Sequence, residues 1–127
     1  MIVRNIAKIK EQAASHEDQR FPGAYKKIIF KKEDFPKGLM PQMINWARIP
    51  AKKKFNLHYH QDMVEIFILT KGIVRMKVGS EKKILVSGES VLVPENTVHQ
   101  MVNIGRSEVE YLIIGLSRGT GGKTIVV

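Results

Sequence analysis

Cysteine is absent from the 127 residues, so neither disulfides nor thiolate ligands are available, and soft-metal chemistry is disfavoured. The redox compartment stays open as a result. Long apolar runs are missing too, and no stretch approaches the roughly 18 residues of a membrane span. The first residues also lack the continuous apolar core and cleavage site of a secretory leader. A soluble, cytoplasmic protein without membrane association is expected. Acidic residues are few, 12 against 21 lysines and arginines, and the formal net charge of +9 raises the question of nucleic acid or acidic substrates. The basic residues come in small groups, Lys26-Lys27, Lys31-Lys32, Lys52-Lys53-Lys54 and Lys82-Lys83, each beside an expected strand end or turn. Lysine is ordinary there as solvated surface, and on an edge strand it blocks unwanted pairing. No helix-turn-helix pattern or aromatic-interleaved strand pair accompanies them, so nucleic-acid binding ranks last.

Histidine is scarce as well, and its placement is informative. Of four, His58, His60 and His99 fall with Glu65 into two spaced clusters separated by expected strands. Residues two apart in a strand project to one face, so His58 and His60 point the same way with Tyr59 opposite. Glu65 has the wrong parity for that strand, and Gln61 and Asp62 are turn-compatible, so the chain bends there and Glu65 opens a new strand toward Gly72. His99 comes several strands later and meets the others only if the sheet curls round on itself, as a barrel does. Three imidazoles and one carboxylate gathered in this way make a metal site. His16, in Ser15-His16-Glu17-Asp18, stands apart from both clusters and reads as an exposed loop histidine.

The stretch His58-x-His60-x4-Glu65-x6-Gly72 resembles the first motif of the cupin superfamily, and Gly88-x5-Pro94-x-Asn96-x2-His99-x3-Asn103 resembles the second. With flanking strands the resemblance covers residues 26–115, most of the chain, and two motifs in the right order are highly specific. Two positions depart from the pattern: the family usually has glycine where this chain has Lys52 and again where it has Asn96. Asparagine is among the residues that best tolerate positive φ, so the second turn is expected to survive. The resemblance implies a small single-domain, metal-binding cupin. Its fold would be an all-β double-stranded β-helix, or jelly-roll, barrel, with the metal held by His58, His60, Glu65 and His99. It also implies dimers.

The rest of the chain agrees with such a fold. Its length suits one domain, which buries roughly two-thirds of its unfolded surface. Residues 5–14 place Ile6 and Ile9 at helical spacing behind a possible N-cap, Asn5, so residues 1–25 are expected to form a short helix or arm. The barrel is expected over residues 26–116, beginning with strands at 25–30 and 43–49. Between them, Pro36, Gly38 and Pro41 interrupt regular structure. Beyond Glu65, short β-branched segments at 64–69, 73–78, 83–86, 90–93, 98–104 and 109–116 alternate with Gly72, Gly79-Ser80, Ser87-Gly88 and Gly105 to Ser107. Residues 117–127 form a tail or edge strand, glycine-rich and then apolar at 125–127. It is no phosphate loop, because Lys123 lacks the spaced preceding glycine and any strand-to-helix context.

Imidazoles with one carboxylate suit divalent Fe, Mn, Zn, Ni, Co or Cu, and affinity order alone does not choose among them. An ion with one carboxylate keeps a net positive charge, which favours a small anionic or chelating ligand. Parity suggests Phe67 and Met101 as pocket lining beside the ion. Trp46 and Arg48 share a strand face, and an inward Arg48 would hold a substrate carboxylate bidentately. Two functions follow: a metal-dependent enzyme of dioxygenase or isomerase type acting on a small oxygenated metabolite, or a non-catalytic binding or sensor module. The apolar edge segments are expected to pair across a two-fold axis in a homodimer.

Overall fold

Strict alternation of buried and outward residues runs through the longest strands. In Met63–Lys71 the buried side chains are Met63, Glu65, Phe67 and Leu69, and in Val109–Ser117 they include Val109, Tyr111 and Ile113. The inward residues close on those of the facing sheet, while among the outward ones Val64, Ile66 and Ile68 on the first strand and Leu112, Ile114 and Leu116 on the second are apolar and half-buried. The computed structural model of the chain describes residues 2, 4, 6–34, 40–119 and 122–127. Asn5, Pro36, Gly38 and Gly121, which carry sequence expectations, lie outside the described residues.

Among the described residues the strands are β1 (Gln12–Ala13), β2 (Tyr25–Lys31), β3 (Pro41–Ile49), β4 (His58–His60), β5 (Met63–Lys71), β6 (Ile73–Val78), β7 (Glu81–Val86), β8 (Ser90–Val93), β9 (His99–Asn103), β10 (Val109–Ser117) and β11 (Thr124–Val126). One sheet has the order β1-β2-β3-β10-β5-β8 and the other β11-β4-β9-β6-β7, with every pairing antiparallel. This is the all-β jelly roll expected from the motifs. Phe55, Phe67 and Tyr111 form the aromatic spine of the core, with ring centroids 6.1 Å and 5.9 Å apart along that series. Burying each such ring contributes about 1.5–3 kcal/mol.

Of the two forms expected at the N-terminus, a short helix or an arm, the described residues show no α-helix. A single 3-10 turn, Ile6–Lys8, precedes an extended chain whose β1 pairs with the edge of β2, Gln12 opposite Lys26. Two isoleucines at helical spacing give too little apolar surface to nucleate a helix, whereas pairing with an open sheet edge satisfies the backbone directly. At the other end β11 pairs with β4 within the same chain, Thr124 opposite His60. No helix among the described residues is long and apolar enough to cross a membrane.

Candidate metal centre

Topology alone brings the two histidine clusters together. β4 and β9 are neighbours in one sheet, with His58 directly opposite His99, and the alternation on β4 turns His58 and His60 to the same inner face. Glu65 arrives from β5 in the facing sheet. Its Oε1 lies 2.8 Å from His60 Nε2 and 3.0 Å from His99 Nε2, and one donor atom from each of the four residues lies within 4.8 Å of all the others. All four side chains are buried.

The rings are held from behind. His58 Nδ1 meets the carbonyl of Asn56 at 2.7 Å, His99 Nδ1 meets the carbonyl of Thr97 at 2.9 Å, and His60 Nδ1 meets Thr124 Oγ1 at 3.0 Å. For His58 and His99 the outer nitrogen must carry the proton, since a carbonyl only accepts. In the neutral rings Nε2 then carries the lone pair, and at His99 that lone pair faces Glu65 Oε1 at 3.0 Å, an opposition that a shared cation would relieve. Burial, and then the neighbouring His16 and His99 rings, pushes the His58 imidazole down to about 3, so it is neutral near pH 7. Burial pushes the Glu65 carboxyl up, but the His60 and His99 imidazoles at its Oε1 more than reverse this and hold it well below the usual carboxylate range.

The donor set fits a divalent ion. Ligand atoms about 2.0–2.2 Å from a metal stand roughly 3–4.4 Å apart, which the observed separations bracket to within a few tenths of an ångström. His60 Nε2 adds an independent sign. It is buried and makes no properly directed hydrogen bond, although Glu65 Oε1 is only 2.8 Å away. Two such atoms pointing past each other share a common focus, where a cation would satisfy both.

The two positions that depart from glycine keep glycine's backbone. Lys52 has φ 64° and Asn96 φ 55°, so both turns take the left-handed form despite their side chains. The Asn96 amide donates to the carbonyl of His60 at 2.7 Å and ties its turn to the ligand strand. Asn103, which ends the second motif, ties loops together: its Nδ2 donates to the carbonyls of Ile49, Pro50 and Ser107, and its Oδ1 accepts from the Gly105 amide.

A cavity of about 220 Å³ opens beside the cluster. Glu65 and His60 form one part of its lining, and Asn45, Tyr111, His16 and Lys26 contribute polar groups elsewhere. Burial holds the Tyr111 phenol far above its ordinary value, so it stays neutral. The expected pocket residues need correction here. Trp46 and Arg48 lie on the outer face of β3, whose inward residues are Asn45, Ala47 and Ile49. Arg48 is held there by Glu11 at 2.7 Å and Glu108 at 2.9 Å, over the ring of Tyr25. Phe67 and Met101 face inward but serve the core rather than the cavity wall. Phe67 packs against the His99 ring at 5.9 Å, and Met101 is fully buried.

Two further expectations change. His16 is no exposed loop residue: its ring stacks on His58 with centroids 4.1 Å apart, and its Nδ1 is 2.9 Å from the buried Glu17 carboxylate. Glu17 also accepts the backbone amides of Gly23 at 2.8 Å and Asn56 at 2.7 Å. Gly23 must be glycine for this approach, because a Cβ there would collide with the Lys54 carbonyl. Lys26, grouped by sequence with surface lysines, points into the cavity. Residues 14–24 pack over the barrel by long-range contacts that carry no periodic signal, so His16 could not be placed from the sequence, and Lys26 needed the inner face of β2.

The sequence model of the cupin domain matches residues 45–115, more than half of the chain, and the chain belongs to that family. A comparison with curated proteins gives no match. Among solved structures, the chain is similar to a predicted oxalate decarboxylase from Thermotoga maritima, with 18% identity, 92% of this chain and 99% of that one covered, and a TM-score of 0.79. It is also similar to a sugar phosphate isomerase of the cupin superfamily from Silicibacter pomeroyi, with 18% identity, coverage of 97% and 80%, and a TM-score of 0.75. A polyketide cyclase from Streptomyces resistomycificus superposes with 12% identity, coverage of 100% and 87%, and a TM-score of 0.76. At these identities the likeness is one of fold.

Proposed function

We propose that this chain is a metal-dependent enzyme acting on a small oxygenated metabolite, of dioxygenase or isomerase type, with a divalent Fe, Mn, Zn, Ni, Co or Cu ion held by His58, His60, Glu65 and His99. The observation that carries this reading is the cavity, because its lining includes Glu65 and His60 from the cluster itself. A ligand there lies against the cation's site. The volume of about 220 Å³ exceeds the ~150 Å³ engineered cavity that admits benzene, so a small metabolite fits. Bound, the ion would act as a Lewis acid on ligand oxygens.

The chain's own residues divide the remaining work. His58, His60 and His99 are aimed by their Nδ1 partners, and Glu65 stays anionic. Phe55 and Phe67 pack edge-on against the His99 ring at 6.0 Å and 5.9 Å and keep water from that side. His16 also lines the cavity. With Nδ1 tied to Glu17, it leaves Nε2 for exchanging a proton with a ligand. That group favours catalysis over simple binding.

Elemental analysis of protein purified without an affinity tag, followed by turnover assays with and without dioxygen, tests the reading. Iron content with oxygen uptake supports the dioxygenase form, and turnover under anoxia supports the isomerase form. A metal-loaded protein that binds small oxygenated molecules tightly and returns them unchanged is a sensor, which overturns the enzyme assignment.

A further inference from the structure

The cavity holds a cation that faces no counter-ion. Lys26 pairs with Ala47, an inward residue of β3, so its side chain enters the cavity, whereas Lys27 pairs with Trp46 and lies outside with its ammonium 5.4 Å from the indole. Lys26 Nζ donates to Ser15 Oγ at 2.6 Å, and no carboxylate lies within ion-pair distance of it among the described residues. Among the described residues Glu65 is the only acidic one in the cavity lining, and it is already shared between two histidines. Partial burial of its stem holds the Lys26 ammonium below its ordinary value, while Nζ itself meets Ser15 Oγ on the solvent side.

A second observation is independent of the first. Asn45 also lines the cavity, is 2% exposed, and leaves Oδ1 with no hydrogen-bond partner, while its Nδ2 meets only Met43 Sδ at 3.2 Å. Buried polar atoms are nearly always paired in folded proteins, and this one, shielded as the side chain stands, gains a partner once the Asn45 amide turns toward a ligand in the cavity it lines. A carbonyl oxygen accepts, and the group it calls for is a hydroxyl.

We propose that the cavity takes a small hydroxylated anion, with a carboxylate or phosphate held by Lys26 Nζ and Ser15 Oγ, a hydroxyl donating to Asn45 Oδ1, and its remaining oxygens toward His60 and Glu65. The proposal rests on the metal-centre reading of this cavity and narrows its substrate class. A divalent ion offset by Glu65 leaves about +1, and Lys26 adds another, so the cavity favours a ligand with two negative charges. Ser15 accepts the lysine proton and keeps its own O–H for the anion.

Three probes on one carbon skeleton test this: glycerate, glycerol 3-phosphate and glycerol, titrated calorimetrically into the metal-loaded protein. Both anions should bind at least about tenfold more tightly than glycerol, since charge-assisted hydrogen bonds are the stronger kind. The better of the two identifies the anionic group. Lys26→Met should reduce that preference to below about threefold with metal stoichiometry unchanged, and Lys26→Arg should retain it. Asn45→Val should weaken all three probes alike. Should Lys26→Met fail to fold, Ser15→Ala on the exposed segment should weaken the anions alone. Glycerol binding as tightly as the anions, no binding by any probe, or a preference untouched by Lys26→Met or Ser15→Ala overturns the proposal. Tight binding without chemistry would sink the enzyme reading and leave the anion site standing. Turnover of an anionic substrate with KM unchanged in Lys26→Met would do the reverse.

Discussion

Left-handed backbone at Lys52 and Asn96 is where single residues are most exposed to test. Asn96 holds φ 55° and ties its turn to His60, and asparagine carries that conformation at lower cost than other side chains. Asn96→Ala should lower stability by about 1 kcal/mol in urea unfolding, and Asn96→Gly should leave it nearly unchanged. The ligands give the second prediction at this scale. His99→Ala should abolish stoichiometric metal by elemental analysis and remove the rise in melting temperature that added metal gives the parent, because an ion that binds only the folded state stabilises it by mass action. Equal metal content in mutant and parent would defeat the assignment. The gathering of His58, His60, Glu65 and His99 was legible in the sequence because strand parity and motif spacing both act locally on them. His16, Glu17, Asn45 and Lys26 were not. Asn45 and Lys26 needed the inner face of their strands, which composition does not reveal, and His16 and Glu17 needed the path of a loop.

That loop is the element on which the cavity's upper wall depends. Glu17 accepts the amides of Gly23 and Asn56, and the carbonyl of Asn56 in turn holds His58 Nδ1. Burial raises the Glu17 carboxyl, and its contacts with His16, Asn56 and Gly23 outweigh that and leave it below its ordinary 4.5. A carboxyl depressed in the folded state contributes stability that is present above its unfolded pKa and lost as pH falls through its folded one. Glu17→Gln should therefore cost about 2 kcal/mol near pH 7. The variant's stability should also fall less steeply than the parent's below about pH 4.5, as read by thermal melts across pH. Identical acid limbs would show that Glu17 is not stabilising as an anion. The strands of the barrel were readable from β-branched runs between turn residues. The N-terminal segment stayed open between helix and arm, because two apolar residues at helical spacing do not decide against an available sheet edge.

For the whole molecule, the jelly roll followed from the motifs. What they could not supply was which face of β3 turns inward, and that set Arg48 outside and Asn45 within. On the second sheet Ile73, Ile84 and Val86, with Leu92 on β8, leave large apolar side chains exposed. Covering them with a second copy of the chain is the simplest way to bury that surface. A homodimer is the expected assembly, and sedimentation should give twice the 14.4 kDa of one chain; a single-chain species at micromolar concentration would remove the expectation. The three ligand rings also differ in what sets their orientation. His58 and His99 are each held by a carbonyl two residues earlier in their own peptide, whereas His60 depends on a hydroxyl contributed by a distant strand. Two-thirds of the imidazole cage is thus aimed by contacts spanning three consecutive residues, though the Asn56 carbonyl is itself fixed through Glu17. The remaining third turns on one threonine far away in the chain, so exchanging Thr124 alone should release the His60 ring while the other two stay aimed.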